Sequence, residues 1–267
     1  MQNIIRPVFP ALLFLLLGMI FFPALSAISI PPFLNHKIIF GLVACAVLFF
    51  MSYRFVKYED SSLSEFNLWP TKQSGIKLGY GLLIGGLITG LMLIIMFTLT
   101  DLSLAAIDDQ SWFLFIMASL VFIPLALMEE ILFRGYPFFR LSKVLNVRWV
   151  MLLTSTLFAL YHYNGTQSLV TLLLGPGIWG VVFAVAAYLS KSIAVPLGIH
   201  IAANFMQALL GLKADYSAMW STTIVENSSN FGVNIEALGI ALQIVLLIMT
   251  ILVFEFSIRR EKSKTQD

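Results

Sequence analysis

Charge is scarce in this sequence. Only 11% of its 267 residues are Asp, Glu, Lys or Arg, while 59% are hydrophobic; a soluble domain carries roughly 25% charged residues. So few charges cannot cover the surface of a soluble domain this long, so lipid is expected to face much of the chain. Cysteine is nearly absent. Cys45 alone, set in an apolar run, excludes a disulfide framework and reads as a small packing residue. The net charge of +2 is too small to imply a nucleic-acid partner. Several short motifs are also missing: H-E-x-x-H, G-x-S-G and G-x-G-D do not occur. Zincin, serine and aspartyl designs of membrane protease are therefore unsupported.

Long apolar runs dominate what remains. Crossing ~30 Å of hydrocarbon takes about 20 mostly apolar residues, and eight runs qualify: about 8–30, 38–55, 76–100, 112–139, 149–163, 168–189, 193–211 and 235–257. The first is too long for the 7–15-residue core of a secretory signal and is expected to be a retained span. The distribution of basic residues gives an independent reading. With the N-terminus in the cytoplasm and eight crossings, the inner segments hold Arg6, Arg54, Lys57, Lys72, Lys77, Arg140, Lys143, Arg148, Lys191, Arg259, Arg260, Lys262 and Lys264. The outer loops keep only Lys37 and Lys213. The expected fold is an all-α, polytopic membrane protein with eight transmembrane helices and both termini cytoplasmic. It forms one integral membrane domain over 1–267, with its motif core at about 112–211.

Residues 56–75, which mix charge with Phe66, Leu68 and Trp69, suggest a cytoplasmic surface helix with an interfacial anchor. Gly81-x-x-x-Gly85 and Gly86-x-x-x-Gly90 suit close helix packing. Gly175-Pro176-Gly177 predicts a kink in the sixth span. His36 reads as a surface histidine, and Glu236 and Glu255, at span ends, need only interfacial hydration. Asn164-Gly165-Thr166 and Asn227-Ser228-Ser229 match the glycosylation sequon.

Ionisable side chains inside a bilayer are costly and point to function. Three spans carry them: Glu129, Glu130 and Arg134 on the fourth, His162 at the end of the fifth, and His200 with Asn204 on the seventh. Measured at ~1.5 Å per residue from the basic residue at each cytoplasmic end, Glu129 lies about 16 Å deep, His162 about 21 Å, His200 about 14 Å and Asn204 about 20 Å. A common layer follows. Glu130 and Arg134, four apart, are expected to form a structural ion pair, with Glu129 turned about 100° away toward another neighbour. His200 and Asn204 share the same spacing, as do Phe158 and His162.

A carboxylate, two imidazoles and an amide in a dry cavity suit amide hydrolysis. Glu129 would serve as general base, His162 would hold or shuttle the water's proton, and His200 and Asn204 would donate to the oxyanion. The same Glu129, His162 and His200 could instead hold zinc with one open position. A proton-coupled transporter and a non-catalytic immunity or scaffold protein are the rival classes.

The set Glu129-Glu130-x-x-x-Arg134, Phe158-x-x-x-His162 and His200-x-x-x-Asn204 resembles the CAAX protease and bacteriocin-processing (CPBP, or Abi) family over residues about 125–205. That resemblance implies an eight-span intramembrane endopeptidase related to the Ras-converting enzyme. Within it, Glu129 and His162 would activate water, His200 and Asn204 would stabilise the oxyanion, and Glu130, Arg134 and Phe158 would support them. The family has been described both as metal-dependent and as metal-independent. The metal-independent reading, with no cofactor, is favoured here because Asn204 suits an oxyanion donor better than a ligand. The expected partners are a peptide or protein substrate at the membrane and the bilayer itself. The modest length without appended domains suggests a bacterial cytoplasmic membrane.

Overall fold

The computed structural model describes residues 2–26, 36–225 and 231–264. Helices α1 (Gln2–Ser26), α2 (His36–Tyr58) and α3 (Ser74–Leu99) come first, followed by strand β1 (Leu102–Ala106). Four helices form the centre: α4 (Trp112–Ser119), α5 (Phe122–Arg134), α6 (Tyr136–Ser142) and α7 (Val147–Tyr161). Then come the short α8 (Leu169–Leu172), a π-helical turn (Leu173–Gly177), α9 (Ile178–Ser190), α10 (Ala194–Leu209), strand β2 (Trp220–Ile224) and α11 (Ile235–Lys264).

The described parts of all eight expected runs are helical. Five helical segments are long and apolar enough to cross a membrane: Lys37–Tyr58, Ser74–Leu99, Trp112–Ser142, Leu169–Ser190 and Ile235–Glu261. Val8–Ala24, Val147–Tyr161 and Ala194–Leu209 are shorter apolar helices. The end of the first expected span (27–30) and the Asn227 sequon lie outside the described residues.

The chain is all-α, as expected, with one short two-stranded sheet beside the helices. β1 and β2 pair antiparallel, with Leu102 opposite Ile224 and Ala106 opposite Trp220. Both strands lie in connectors that hydropathy alone leaves as loops. Backbone polar groups there find partners by pairing, a long-range choice with no local signature. The expected surface helix at 56–75 is corrected. Only a 3-10 turn forms, at Leu63–Phe66, and it is packed inward: Phe66 is buried and its ring lies 5.3 Å from that of Tyr136. Trp69 stays exposed, as an interfacial anchor would.

The core surrounds α5 and α6, where Phe133, Tyr136 and Phe138 are fully buried. α1, α2, α7, α9 and α10 all touch this segment. The fourth run is not one continuous helix. Pro124 lacks the N–H that would bond Leu120, and the chain closes tighter i→i+3 bonds there, such as Ile123 N–H to Leu120 O at 3.1 Å. At Gly135 the helix stops again, two residues before Pro137. The depth of Glu129 counted from Arg140 runs through that second break, so it is not a simple helical rise. On the fifth run, His162 caps the far end of α7 rather than lying within it.

Glycine decides one helix crossing. A Cβ on Gly85 would stand 2.6 Å from Ile199 Cα, and one on Gly198 would stand 2.6 Å from Leu82 N, so α3 and α10 approach backbone to backbone. Gly86 has nothing within 4 Å and Gly90 meets only the end of Met206, so the second small-residue motif is not used for close packing. The predicted kink at Gly175-Pro176-Gly177 takes the form of the π-helical turn, whose wider winding accommodates a proline without an N–H to give.

Polar contacts cluster at the helix ends. At the ends carrying most basic residues, Glu59 Oε1 accepts from Tyr136 Oη (3.1 Å) and Arg140 Nε (3.0 Å). Arg148 forms a bidentate pair with Glu255 at 2.7 and 2.8 Å, a specific partner where hydration alone was expected. At the opposite ends, Lys37 pairs with Asp215 at 3.7 Å.

Candidate active site

Five helical elements build the site. α5 supplies Glu129, Glu130 and Arg134 from its most buried stretch. α7 ends on Phe158 and His162, α9 supplies Gly180 and Phe183, and α10 supplies His200 and Asn204. The close α3–α10 crossing fixes His200, which directly follows Ile199.

Both carboxylates converge on one imidazole. His200 Nδ1 lies 3.0 Å from Glu130 Oε1, and its Nε2 lies 3.6 Å from Glu129 Oε2. Glu129 was expected to turn toward a different neighbour than Glu130. It does leave the helix in another direction, yet His200 sits between the two and presents one nitrogen to each. His162 Nε2 also faces Glu129 Oε2, at 3.9 Å. Its Nδ1 is 2.8 Å from Phe158 O on the same helix. A carbonyl only accepts, so Nδ1 carries a proton, and in the neutral ring Nε2 is the acceptor that faces Glu129. Glu129 Oε2 itself is buried and has no hydrogen-bond partner among the described residues.

Glu130 and Arg134 are fully buried and 3.6 Å apart. That distance is an ion pair without a hydrogen bond, so the closest polar contact of Glu130 is His200, not Arg134. Arg134 instead donates from Nη2 to Gly180 O at 2.9 Å. Its guanidinium lies 4.3 Å from the Phe158 ring centre and 5.3 Å from that of Phe183. A side chain on Gly180 would crowd Ser155 at 3.0 Å and Arg134 Nη2 at 3.2 Å, so that position must stay bare for Arg134 to reach the backbone. The expected pairing thus extends into a chain running Gly180–Arg134–Glu130–His200–Glu129–His162.

Aromatic rings wall this chain. Phe158 lies 4.6 Å from the His162 ring, and Phe183 stacks on His200 at 4.6 Å with only 19° between planes. Phe183 was not singled out from the sequence, since a Phe in an apolar helix carries no signal. A cavity of about 380 Å³ opens beside the histidines, lined also by Phe158, Phe183, Asn204 and Trp179. Four further polar residues line it: Thr89, Gln207, Lys213 and Gln243. Gln207 did have a legible signal, three residues beyond Asn204 on the same helical face. Gln243 is a lone amide within the run at 235–257.

Zinc was the alternative reading of Glu129, His162 and His200. Ligands bound at about 2.0–2.1 Å on tetrahedral corners stand roughly 3.3 Å apart, closer than the 3.6 and 3.9 Å measured here. Among the described residues, no three His, Cys, Asp or Glu side chains form a metal-holding group.

Residues 109–206 match the family model described as type II CAAX prenyl endopeptidase Rce1-like. No curated protein and no solved structure matches the chain. The matched stretch holds every residue of the converging cluster from Glu129 to Asn204. Over residues 109–206 the chain is thus similar to the CAAX protease family, whose members are membrane-embedded proteases.

Proposed function

We propose that the protein is an intramembrane endopeptidase in which Glu129 activates a water to attack a peptide bond of a membrane-associated protein or peptide. One observation carries the reading: a buried carboxylate oxygen of Glu129, without a hydrogen-bond partner among the described residues, faces the Nε2 atoms of His162 and His200 beside a cavity those histidines line. A water held about 2.8 Å from Glu129 Oε2 and from His162 Nε2 could donate one proton to each. As its oxygen attacks the substrate carbonyl, Glu129 takes a proton. The carbonyl oxygen becomes an oxyanion and accepts from the Asn204 amide and from His200 Nε2–H. The C–N bond then breaks, and the proton on Glu129 passes to the leaving amine, restoring the carboxylate.

For His200 to donate at Nε2 while Nδ1–H points at Glu130, it must carry both protons. The cluster then balances: two carboxylates, Glu129 and Glu130, against His200 and Arg134. Neutrality matters at this burial, because an uncompensated charge costs several kcal/mol. The reaction so written needs no metal.

The membrane arrangement proposed alongside has eight crossings with both ends cytoplasmic. Arg148–Glu255 and Arg140–Glu59 would then lie on the inner side, and Lys37–Asp215 with the two-stranded sheet on the outer side. These pairings agree with the distribution of basic residues.

The test is cleavage of membrane-embedded substrates by purified protein carrying Glu129→Gln, His162→Ala or Asn204→Ala, with and without a chelator. Glu129→Gln should lower turnover by roughly 10²–10⁴-fold and Asn204→Ala by about 10²–10³-fold, with folding intact. Full activity in Glu129→Gln sinks the mechanism. Loss in chelator with recovery on added zinc transfers the same residues to a metallopeptidase.

A further inference from the structure

The cavity is electrically lopsided. Its histidines belong to the charge-balanced cluster around Glu129, whereas Lys213, just beyond the end of α10, is the only lysine or arginine among the lining residues. Lys213 is half-buried, yet among the described residues no carboxylate lies within ion-pair distance of its ammonium. Its neighbour Lys37 differs in this respect. Both approach the Tyr216 ring, Lys37 at 4.0 Å and Lys213 at 5.8 Å, but Lys37 has Asp215 as its partner. Burial pushes the Lys213 ammonium below the ordinary lysine value, against the opposing pull of Glu129. A half-buried cation with no counter-ion among the described residues gains most from an anion that arrives with a ligand.

Two more lining groups point the same way. The side-chain oxygens of Gln243 and Thr89 are buried and unpaired among the described residues. Together with Gln207 they give an otherwise apolar wall a short row of groups able to hydrogen-bond a peptide. Five residues of helix separate Asn204 from Leu209, about 7–8 Å. Asn204 and Lys213 line the same cavity, so one ligand can place a carbonyl at Asn204 and another group at Lys213.

We propose that Lys213 is a specificity-determining residue that receives a carboxylate of the peptide substrate, with the amides of Gln207 and Gln243 beside it. The inference rests on the protease reading and adds the chemical class of what enters. The carboxylate is attracted to the Lys213 ammonium, which places that part of the peptide at the Lys213 end of the cavity. Two groups carry such a carboxylate, a free C-terminus and an acidic side chain.

The test measures binding to the full-length protein in detergent micelles. The probes are dansyl-Leu-Leu-Leu-Leu as free acid, the same peptide as C-terminal amide, and dansyl-Leu-Leu-Leu-Glu amide. The free acid, the Glu peptide or both should bind roughly 10-fold tighter than the Leu amide, and which of them does so names the source. Lys213→Gln should remove that preference and Lys213→Arg should keep it. Equal binding of all three peptides, no binding of any, or a preference that survives Lys213→Gln overturns the proposal. Because Glu129→Gln tests cleavage separately, Lys213 can fail while the protease reading stands.

Discussion

Arg134 offers the sharpest test of how the site is held. Its side chain and that of Glu130 have no exposed area. Removing one member of such a pair leaves a buried charge uncompensated, at a cost of roughly 3–5 kcal/mol. Arg134→Ala also forfeits the bond to Gly180 O, a charged hydrogen bond of about 1.5–3 kcal/mol. Its contact with Phe158 adds up to about 2 kcal/mol when desolvated. These terms overlap, so the expected loss is about 4 kcal/mol rather than their sum. Glu130→Gln should cost about 3 kcal/mol, since Arg134 then lacks its counter-charge while Gln can still accept from His200. The double variant Glu130→Gln/Arg134→Met removes both charges at similar volume and should recover to within about 2 kcal/mol of the parent. Reversible unfolding in mixed micelles, followed by tryptophan fluorescence, measures all three. An Arg134→Ala loss under about 1 kcal/mol, or a double variant as unstable as the two singles added, would refute the buried-pair account.

Two more outcomes follow from the helix packing and the proposed topology. Gly85→Leu should separate α3 from α10, costing at least about 1–3 kcal/mol and lowering activity through His200. Gly86→Leu, with open space around it, should change neither stability nor activity; equal effects would remove the crossing argument. In a Cys45→Ala background, an impermeant maleimide applied from outside should label Lys37→Cys and Asp108→Cys. Lys72→Cys and Arg260→Cys should label only after permeabilisation, and the reverse pattern would invert the orientation.

The sequence by itself determined the solvent and the candidates. Eight apolar runs all became helices, because a chain with so few charges must satisfy its backbone internally wherever lipid surrounds it. Glu129, Glu130, Arg134, His162, His200 and Asn204 stood out because each is expensive in that setting. Helical spacing put Glu130 near Arg134 and Phe158 near His162, as found. Spacing within one helix has no knowledge of a second helix, and there the sequence ran out. That His200 lies between both carboxylates depends on the α3–α10 crossing at Gly85 and Gly198. That Arg134 reaches a backbone carbonyl depends on Gly180, 46 residues away. The pairing of β1 with β2 and the inward packing of Phe66 are likewise long-range contacts. Lys213 illustrates the division best: counting charges assigned it to an outer loop, and only tertiary structure turned it, with no carboxylate partner among the described residues, into the cavity that holds the histidines.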